Sequence, residues 1–308
     1  MAAQHTSGLQ ALLVSSGFEG EVYAHEPMAR HTSYHLGGPA RFFVQVASLR
    51  ALSALIEACR DEQEPWLVIG KGSNLLVADS GFEGVVITLG HDFKFCRFDE
   101  DALRFVAGAG LSLAHVVQDA FKRGVAGLEF AVGTPGTVGG AVRMNAGSRD
   151  EWIGSRVVSV TVYSPTQGLK RLAGSQIAWS YRETGFSDEE VILECELAVE
   201  ASLPAYVRGR MEGVLARRKR TQPLQYPSCG SVFKNPPARS AGALIDGLGL
   251  KGLRHGGAMV SPLHANFIVN MGNARAADVY GLIRHVQTKV KEAYGIELQP
   301  EVKFLGFA

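Results

Sequence analysis

The sequence predicts a mixed α+β fold, and three kinds of stretch in the 308-residue chain carry that prediction. Residues 48–63 place their apolar side chains on one helical face behind Ser48, a residue type that often caps a helix N-terminus. Residues 66–70 and 85–90 are short apolar runs, typical of buried strands. Residues 191–201 alternate apolar residues with glutamates, which indicates a strand in a sheet with one face in solvent.

The remaining chain continues this mixture of elements. Residues 103–108 predict another strand, and residues 112–124 predict a helix that begins after Ser112 and ends at Gly124. A further helix begins at Pro204, and a loop rich in proline and serine follows it. Near the end we expect a strand at 265–270 and a long helix capped by Asn273. A last strand is expected to place four apolar residues on one face: Ile296, Leu298, Val302 and Phe304.

The change in pattern before Pro204 predicts a domain boundary near residue 202. The chain would then consist of a domain at 1–202 and a smaller C-terminal domain at 203–308. A weaker boundary near Asp79 would divide the first domain into lobes of about 1–78 and 79–202.

Composition excludes several classes of protein. A formal net charge of +1 gives no indication of a nucleic-acid partner. The four cysteines are far apart in sequence, and His31 and His35 lead into Gly37-Gly38, so neither a disulfide framework nor a metal site is indicated. The N-terminus lacks the pattern of a signal peptide, and no apolar run approaches a membrane span. We therefore expect a cytoplasmic protein with no membrane, nucleic-acid or obligate protein partner, and no bound metal.

The stretch 127–147 mixes six glycines with apolar residues. Gly133, Gly136, Gly139 and Gly140 remove side chains, so that a ligand could approach the backbone amides, and Pro135 stiffens the loop. This combination suits a flat aromatic ring attached to a diphosphate better than it suits a lone phosphate. The alternative is a structural turn between strands.

A second glycine turn, "GKGSNLL" at 70–76, directly follows a predicted strand. Gly70 and Gly72 allow several N–H groups to point the same way, an arrangement that suits phosphate oxygens. The order of residues is not that of a Walker loop, and an ordinary tight turn explains the stretch equally well. A third turn, Gly108-x-Gly110, has Leu113 where a dinucleotide fingerprint needs glycine, so we do not expect a Rossmann site there.

Polar residues in three other segments could act on a ligand. In "YPSCGSVFKNP" at 226–236, Gly230 can expose the hydroxyl of Ser231, which can donate a proton. No nucleophile elbow is present, so a hydrolase is not indicated, and the alternative is a surface turn. Arg182, in "SYRET" at 180–184, could bind a carboxylate through two hydrogen bonds or form a surface salt bridge. Glu301, in "LQPEVKF", would in isolation be solvated.

Taken together, the motifs resemble the UDP-N-acetylenolpyruvoylglucosamine reductase family along nearly the whole chain. The resemblance rests on their order and spacing, and includes "HTSYHLGGPARFF" (31–43), "GKGSNLLV" (70–77), the 127–147 stretch, "SYR" (180–182), "YPSCGSVFKNP", "HANFIVN" (264–270) and "LQPEVKFLG" (298–306). It implies an FAD-binding domain of the vanillyl-alcohol-oxidase type in two lobes, followed by a smaller C-terminal α/β substrate domain. The chain is similar to the compact subtype of the family. It departs from the common pattern at His35 and at Arg143.

The resemblance also implies an activity and a set of site residues. The activity is the NADPH-dependent reduction of the enolpyruvyl ether of UDP-N-acetylglucosamine, with FAD as cofactor. Ser231 matches the family's proton donor, and Arg182 and Glu301 match the residues that activate the enolpyruvyl group. Lys234 and Asn235 match residues on the nucleotide-sugar side. Residues implied to bind FAD are Gly70, Lys71, Gly72, Ser73, Asn74, Leu75, Pro135, Gly136, Thr137, Gly139, Gly140, Ala141 and Asn145.

Two other functions remain open at this point. One is an FAD-dependent oxidase of the same fold, which would leave the "GSVFKNP" segment unexplained. The other is a nucleotide-sugar-binding protein without catalytic activity, which requires a colourless purified protein.

Overall fold

The structure, a computed structural model, describes residues 8–148, 150–237 and 239–307. The expectation that the N-terminus carries no signal peptide concerns residues 1–7 in part, and these lie outside the described residues. Within the described ranges, no helix combines the length and the apolar character that a membrane crossing requires.

The described chain contains both helices and strands. Its first part contains α1 (Gly8–Leu13), β1 (Gly20–Pro27), β2 (Pro39–Val46), α2 (Leu49–Asp61), β3 (Trp66–Ile69), β4 (Leu75–Val77), β5 (Phe82–Leu89), β6 (Cys96–Asp99), β7 (Arg104–Gly108), α3 (Leu113–Arg123), β8 (Val125–Ala126) and α4 (Val138–Arg143). Its second part contains β9 (Val157–Ser164), β10 (Gly168–Ala173), β11 (Trp179–Ser180), β12 (Glu183–Thr184), β13 (Val191–Ala198), β14 (Glu200–Ala201), α5 (Pro204–Thr221), α6 (Ala241–Gly247), β15 (Arg254–His255), β16 (Ala258–Val260), β17 (Ile268–Asn270), α7 (Ala276–Tyr294) and β18 (Lys303–Leu305).

Three of the predicted helices, α2, α3 and α5, form where they were expected. At the start of α2, the Ser48 hydroxyl accepts a hydrogen bond from the Ala51 amide at 3.2 Å. At the end of α3, Gly124 has a φ of 69°, a left-handed conformation that glycine adopts without steric cost. Helix α5 begins at Pro204, where a missing amide hydrogen costs nothing because the first turn has no partner for it.

Contacts divide the chain into two compact units, each built from several segments. The first contains residues up to Ala24, Phe42–Gly70 and Gly84–Val214. The second contains His25–Arg41, Lys71–Glu83 and the chain from Leu215 onward. The predicted boundaries near residues 202 and 79 describe consecutive domains along the chain, and they stay predictions.

The first unit is centred on a five-stranded antiparallel sheet with the order β10-β9-β13-β7-β6. Its β13 is the strand that the 191–201 alternation predicts. The apolar residues of that alternation are buried, and the intervening Glu194 and Glu196 are half-buried on the other face. Helix α4 packs against β13. The sheet therefore supports the short helix that follows the long glycine-rich loop. A four-stranded sheet has the order β1-β2-β5-β3, and its β3 and β5 run parallel.

The second unit contains a three-stranded antiparallel sheet, β15-β16-β17, with α7 packed against all three strands. The buried face of α7 consists of Ala276, Val279, Leu282, Ile283, Val286 and Val290. Strand β18 pairs in parallel with β4, placing the chain end beside the segment that follows Asn74.

Two predicted features of the C-terminal region are wrong in detail. Asn273 does not cap α7, which begins at Ala276, because the Asp79 carboxylate accepts the Ala276 and Ala277 amides at 2.9 and 3.0 Å instead. The last strand is short, and Phe304 is 36% exposed because it packs edge-on against the Tyr280 ring outside the core. Long-range contacts decide both features, so a local pattern could not predict them.

The N-terminus of α7 gives a prediction about stability and pH. Asp278 accepts hydrogen bonds from the Arg275 and Gly257 amides at 2.9 and 3.0 Å, and the Arg275 bond is the largest cause of a lowered Asp278 pKa. This stabilisation is fully present above the aspartate pKa of the unfolded chain and is lost as the pH falls through the lower folded value. We expect Asp278→Asn to reduce the free energy of unfolding by about 1 kcal/mol at pH 7. Urea unfolding of both proteins at pH 7 and at pH 3 measures the difference in their free energies of unfolding. A difference that is larger at pH 3 than at pH 7 would contradict the prediction.

Candidate active site

The second unit brings Ser231 and Glu301 onto neighbouring backbone. Phe233 and Pro300 form an antiparallel bridge, and the Glu301 amide donates to the Val232 carbonyl at 2.7 Å. The Lys234 amide donates to Gln299 on the other side of that bridge, at 2.9 Å. The residue that follows Ser231 is therefore hydrogen-bonded directly to Glu301, although 70 positions separate Ser231 from Glu301 in sequence.

Two asparagines hold these paired segments in place. The buried Asn266 side chain accepts from the Phe233 amide at 3.0 Å and donates to the Phe233 carbonyl at 2.8 Å. Asn74 donates from its side-chain amide to the Glu301 carbonyl at 2.9 Å. The family resemblance implies that Asn74 contacts the cofactor, and it implies no role for Asn266. The only signal for Asn266 was its position inside "HANFIVN", because its partner lies 33 residues away.

Cys229, two residues before Ser231, is a buried free thiol. Burial raises the pKa of the Cys229 thiol, the neighbouring Tyr34 hydroxyl lowers it, and the Glu301 charge raises it. Burial is also the main cause of the raised pKa of the Tyr34 hydroxyl. A thiol with a strongly raised pKa stays protonated at neutral pH and is a poor nucleophile. The hydroxyl of Ser231, and not this thiol, is therefore the group suited to chemistry in the segment.

Ser231 and Asn235 line a cleft of about 320 Å³ within the second unit. The volume is at the lower end of the range for small-molecule sites. Most of the other lining side chains are polar, and they include Ser240, Asp246, Lys251, His264 and Asn266. Asn235 also accepts a hydrogen bond from the Ala241 amide at 3.0 Å, so its side chain is oriented by the start of α6. Burial is the largest cause of the lowered pKa of His264; a backbone hydrogen bond opposes it, and the Lys251 charge lowers the pKa further.

Arg182 lies in the first unit, at the tip of a two-residue hairpin. Trp179 pairs with Thr184 and Ser180 with Glu183, which leaves Tyr181 and Arg182 as the turn. Arg182 has a φ of 61°, an uncommon conformation for a residue with a side chain. Such strain persists only where surrounding contacts impose it, and it is frequent at functional sites.

The two glycine turns meet in the first unit through Gly70. A Cβ added to Gly70 would lie 2.5 Å from the Thr137 hydroxyl oxygen, so only glycine allows this approach. A Cβ added to Gly139 would lie 2.8 Å from the Ala109 Cβ, so close packing also explains that glycine. Gly136 has a φ of 122°, which excludes other residues without strain.

The amides at the start of α4 are used differently from what the sequence suggested. The Val138 and Gly139 amides donate to Leu111 and Ala109 carbonyls, both at 2.9 Å, and the Gly140 amide donates to the Thr137 hydroxyl at 3.2 Å. These contacts do not favour the predicted approach of a ligand to the Gly139 and Gly140 amides, because both amides already donate hydrogen bonds within the protein. A ligand there would instead lie against the bare Cα faces, as a flat ring can.

Gly140 provides a test of whether FAD fits these residues. Glycine inside a helix costs about 1 kcal/mol relative to alanine, so it needs a reason. Packing gives none among the described residues, since a Cβ added to Gly140 would meet only the Thr137 hydroxyl, at 3.4 Å. The half-buried Gly140 face is thus open beside a buried hydroxyl. An open face of this kind suits a planar cofactor, so the loop fits FAD.

This interpretation predicts opposite behaviour for two adjacent glycines. Gly140→Ala should weaken FAD binding at least tenfold, while the apoprotein keeps its stability or gains up to about 1 kcal/mol. Gly139→Ala should destabilise the apoprotein, because its Cβ meets Ala109. Fluorescence titration of apoprotein with FAD and urea unfolding measure the two quantities. An unchanged FAD dissociation constant in Gly140→Ala would exclude the cofactor from this face.

Comparison with known proteins decides the family. A model of an FAD binding domain matches residues 40–172, and a model of the C-terminal domain of UDP-N-acetylenolpyruvoylglucosamine reductase matches residues 222–305. The chain is 44% identical over 283 residues to the UDP-N-acetylenolpyruvoylglucosamine reductase of a Synechococcus species, covering 91% of this chain and 92% of the relative. The chain belongs to the UDP-N-acetylenolpyruvoylglucosamine reductase family.

Other members of the UDP-N-acetylenolpyruvoylglucosamine reductase family agree with this assignment. The Heliobacterium modesticaldum protein of the same name is 43% identical over 299 residues, covering 95% of this chain and 93% of its own length. The crystal structure of UDP-N-acetylenolpyruvylglucosamine reductase from Thermus caldophilus matches with a TM-score of 0.81 at 36% identity, covering 93% of this chain and 99% of that chain.

The predicted family and fold class are therefore confirmed. The fold is α+β, with an FAD-binding domain of the vanillyl-alcohol-oxidase type and a smaller C-terminal α/β domain. As a reductase-family member with that domain, the chain is an FAD-containing oxidoreductase. The alternative of a protein without catalytic activity is not supported. The roles of the individual site residues stay predictions.

Proposed function

We propose that the protein reduces the enolpyruvyl ether of UDP-N-acetylglucosamine to UDP-N-acetylmuramate, with NADPH as the reductant. This reaction belongs to peptidoglycan precursor synthesis and would take place in the cytoplasm. The observation that carries the proposal is the backbone pairing of the Ser231 segment with the Glu301 segment, because it brings a residue with a hydroxyl and a residue with a carboxyl onto neighbouring backbone.

FAD, when bound, would relay hydride from NADPH to the methylene carbon of the enolpyruvyl group. The chain's part is to hold the cofactor, and the residues proposed for this include Gly70, Thr137 and Gly140. The close approach of Gly70 to Thr137 and the open Gly140 face support that assignment. Lys71, Gly72, Ser73, Asn74, Leu75, Pro135, Gly136, Gly139 and Ala141 stay in the proposed set.

Arg182 has the task of binding the substrate carboxylate. When hydride adds to the methylene carbon, negative charge develops on the adjacent carbon and spreads into this carboxylate. A guanidinium fixed beside the carboxylate stabilises that charge more in the transition state than in the substrate. The strained hairpin tip supports the role, since the backbone fixes where the Arg182 side chain begins.

Ser231 has the task of donating a proton to the carbon that becomes carbanionic. A hydroxyl is a weak acid, but the carbanionic carbon is a strong base, so transfer requires only correct geometry. Glu301 assists through hydrogen bonding, because an ionised carboxylate beside the forming anion would oppose the reaction. Lys234 and Asn235 bind the nucleotide-sugar part, and the position of Asn235 in the cleft beside Ser231 supports this.

The proposal is tested with the purified holoprotein. Its visible spectrum should show bound flavin, and anaerobic NADPH should bleach it. The enolpyruvyl nucleotide sugar should then restore the oxidised spectrum within the turnover time, and the product should be the lactyl ether. Failure of the nucleotide sugar to restore it, with rapid restoration by air, would overturn the proposal in favour of the oxidase.

A further inference from the structure

The side chain of Asn145 contacts the protein at both ends. It is 5% exposed. Its oxygen accepts the Gly154 amide at 3.1 Å, and its nitrogen donates to the Ser180 carbonyl at 2.8 Å. The first bond spans 9 positions along the chain and the second spans 35. The side chain is thus engaged by the fold, although the resemblance assigned Asn145 to FAD.

Ser180 is the residue at which the Arg182 hairpin closes. It pairs with Glu183 across the two-residue turn, so a bond to the Ser180 carbonyl fixes one strand of the hairpin next to its tip. The other strand is held from the same place, because the Thr184 hydroxyl donates to the Arg143 carbonyl at 3.0 Å. Residues at the end of α4 therefore fix both strands that carry Arg182.

The Gly154 segment completes this support. A Cβ added to Gly154 would lie 2.5 Å from the Trp179 ring and 2.8 Å from the Asn145 oxygen. Trp179 also donates from its indole nitrogen to the Gly174 carbonyl at 2.8 Å. The first strand of the hairpin is thus packed directly on the segment that Asn145 binds. Asn145 itself has a φ of 41°, an uncommon backbone conformation for a residue with a side chain.

We propose that Asn145 is a positioning residue for Arg182: its side-chain amide, held by Gly154, fixes the hairpin through Ser180 and so sets where the guanidinium meets the substrate carboxylate. This inference rests on the proposed function, in which Arg182 binds that carboxylate. Under this proposal Asn145 does not bind FAD, as the resemblance implied, but orients a residue that binds the substrate.

Asn145→Asp is the variant that separates these roles. It keeps the size of the side chain and an oxygen for the Gly154 amide, but it replaces the donor to Ser180 with an oxygen that the carbonyl repels. We expect the FAD dissociation constant and the rate of flavin reduction by NADPH to change less than twofold. The rate of flavin reoxidation by the enolpyruvyl substrate should fall about 10- to 100-fold, since small misplacements of a binding group are that costly.

The decisive experiment is a double-mutant cycle with Arg182→Ala, measured as the flavin reoxidation rate. If Asn145 acts through Arg182, Asn145→Asp should cost less than twofold in the Arg182→Ala background. An equal loss in both backgrounds, or a weakened affinity for FAD, would overturn the inference. If Arg182→Ala alone does not slow reoxidation, the proposed role of Arg182 fails instead, which is a distinguishable result.

Two further variants distinguish a loss of positioning from misfolding of the protein. Thr161→Val removes a side-chain hydrogen bond to Glu194 on the central sheet of the same unit, at 3.3 Å, and should leave reoxidation unchanged. If Asn145→Asp does not fold, Thr184→Val removes the other connection to the hairpin and should slow reoxidation in the Arg182 background but not in Arg182→Ala. Equal slowing in both backgrounds counts against positioning by the α4 end.

Discussion

Ser231→Ala should leave flavin reduction by NADPH intact and slow flavin reoxidation by the enolpyruvyl substrate by about 10²- to 10⁴-fold, the usual contribution of a positioned proton donor. The reason is specific to the second half of the reaction, in which a carbanionic carbon must be protonated. Hydride transfer from NADPH needs no such proton. Stopped-flow absorbance of the flavin, with each half-reaction started separately, measures the two rates.

The matched control is Ser228→Ala, the same change three residues earlier in the same half-buried loop. It should alter neither rate. The Ser231 side chain does not make the backbone bonds that pair the 231–234 and 299–301 segments, so the variant should fold with its FAD. Reoxidation at the unmodified rate would remove Ser231 from its proposed role. Loss of both half-reactions would indicate a damaged fold.

Arg182→Ala should raise the dissociation constant of the enolpyruvyl substrate and slow reoxidation by about 10²- to 10³-fold, since removal of one preorganised charge-stabilising group costs about that much. Arg182→Lys should recover only part of the loss, because an ammonium cannot form the two parallel bonds of a guanidinium. Substrate titration of the oxidised flavin spectrum gives the affinity, and stopped-flow absorbance gives the rate.

A second arginine of the same unit provides the control for charge. Arg156 lies in the same unit and is hydrogen-bonded to Glu200 at 2.5 Å, an exposed pair that contributes little to stability. Arg156→Lys should change neither substrate affinity nor reoxidation. If Arg182→Lys equals the wild type, charge alone is sufficient and the bidentate carboxylate contact is excluded.

Much of the fold could be predicted from local pattern. The apolar face of α2 with its Ser48 cap, the Gly124 end of α3 and the alternation in β13 each depend on residues close together in sequence. Helical and strand periodicities act over a few residues, so they can be recognised without the tertiary structure. The cap of α7 could not be predicted in this way, because the capping residue Asp79 lies almost 200 positions before the helix.

The candidate site also contains residues that the sequence predicted and residues that it did not. The residue types and motif order sufficed to name the family, FAD and the candidates Ser231, Arg182 and Glu301, and the comparisons confirmed the first two. The residues that hold the backbone of those candidates through hydrogen bonds could not be predicted. Asn266 and Asn74 act across 33 and 227 positions, and nothing local distinguishes them from other asparagines.

By itself, the sequence determined the chemistry available to this protein: glycines that only a tight turn or a ligand explains, and a hydroxyl, a guanidinium and a carboxyl in segments of fixed order. Only the tertiary structure decided which groups support them, such as Asn145 beneath the Arg182 hairpin. The physical reason is that a hydrogen bond has a range of about 3 Å in space but no fixed range along the chain.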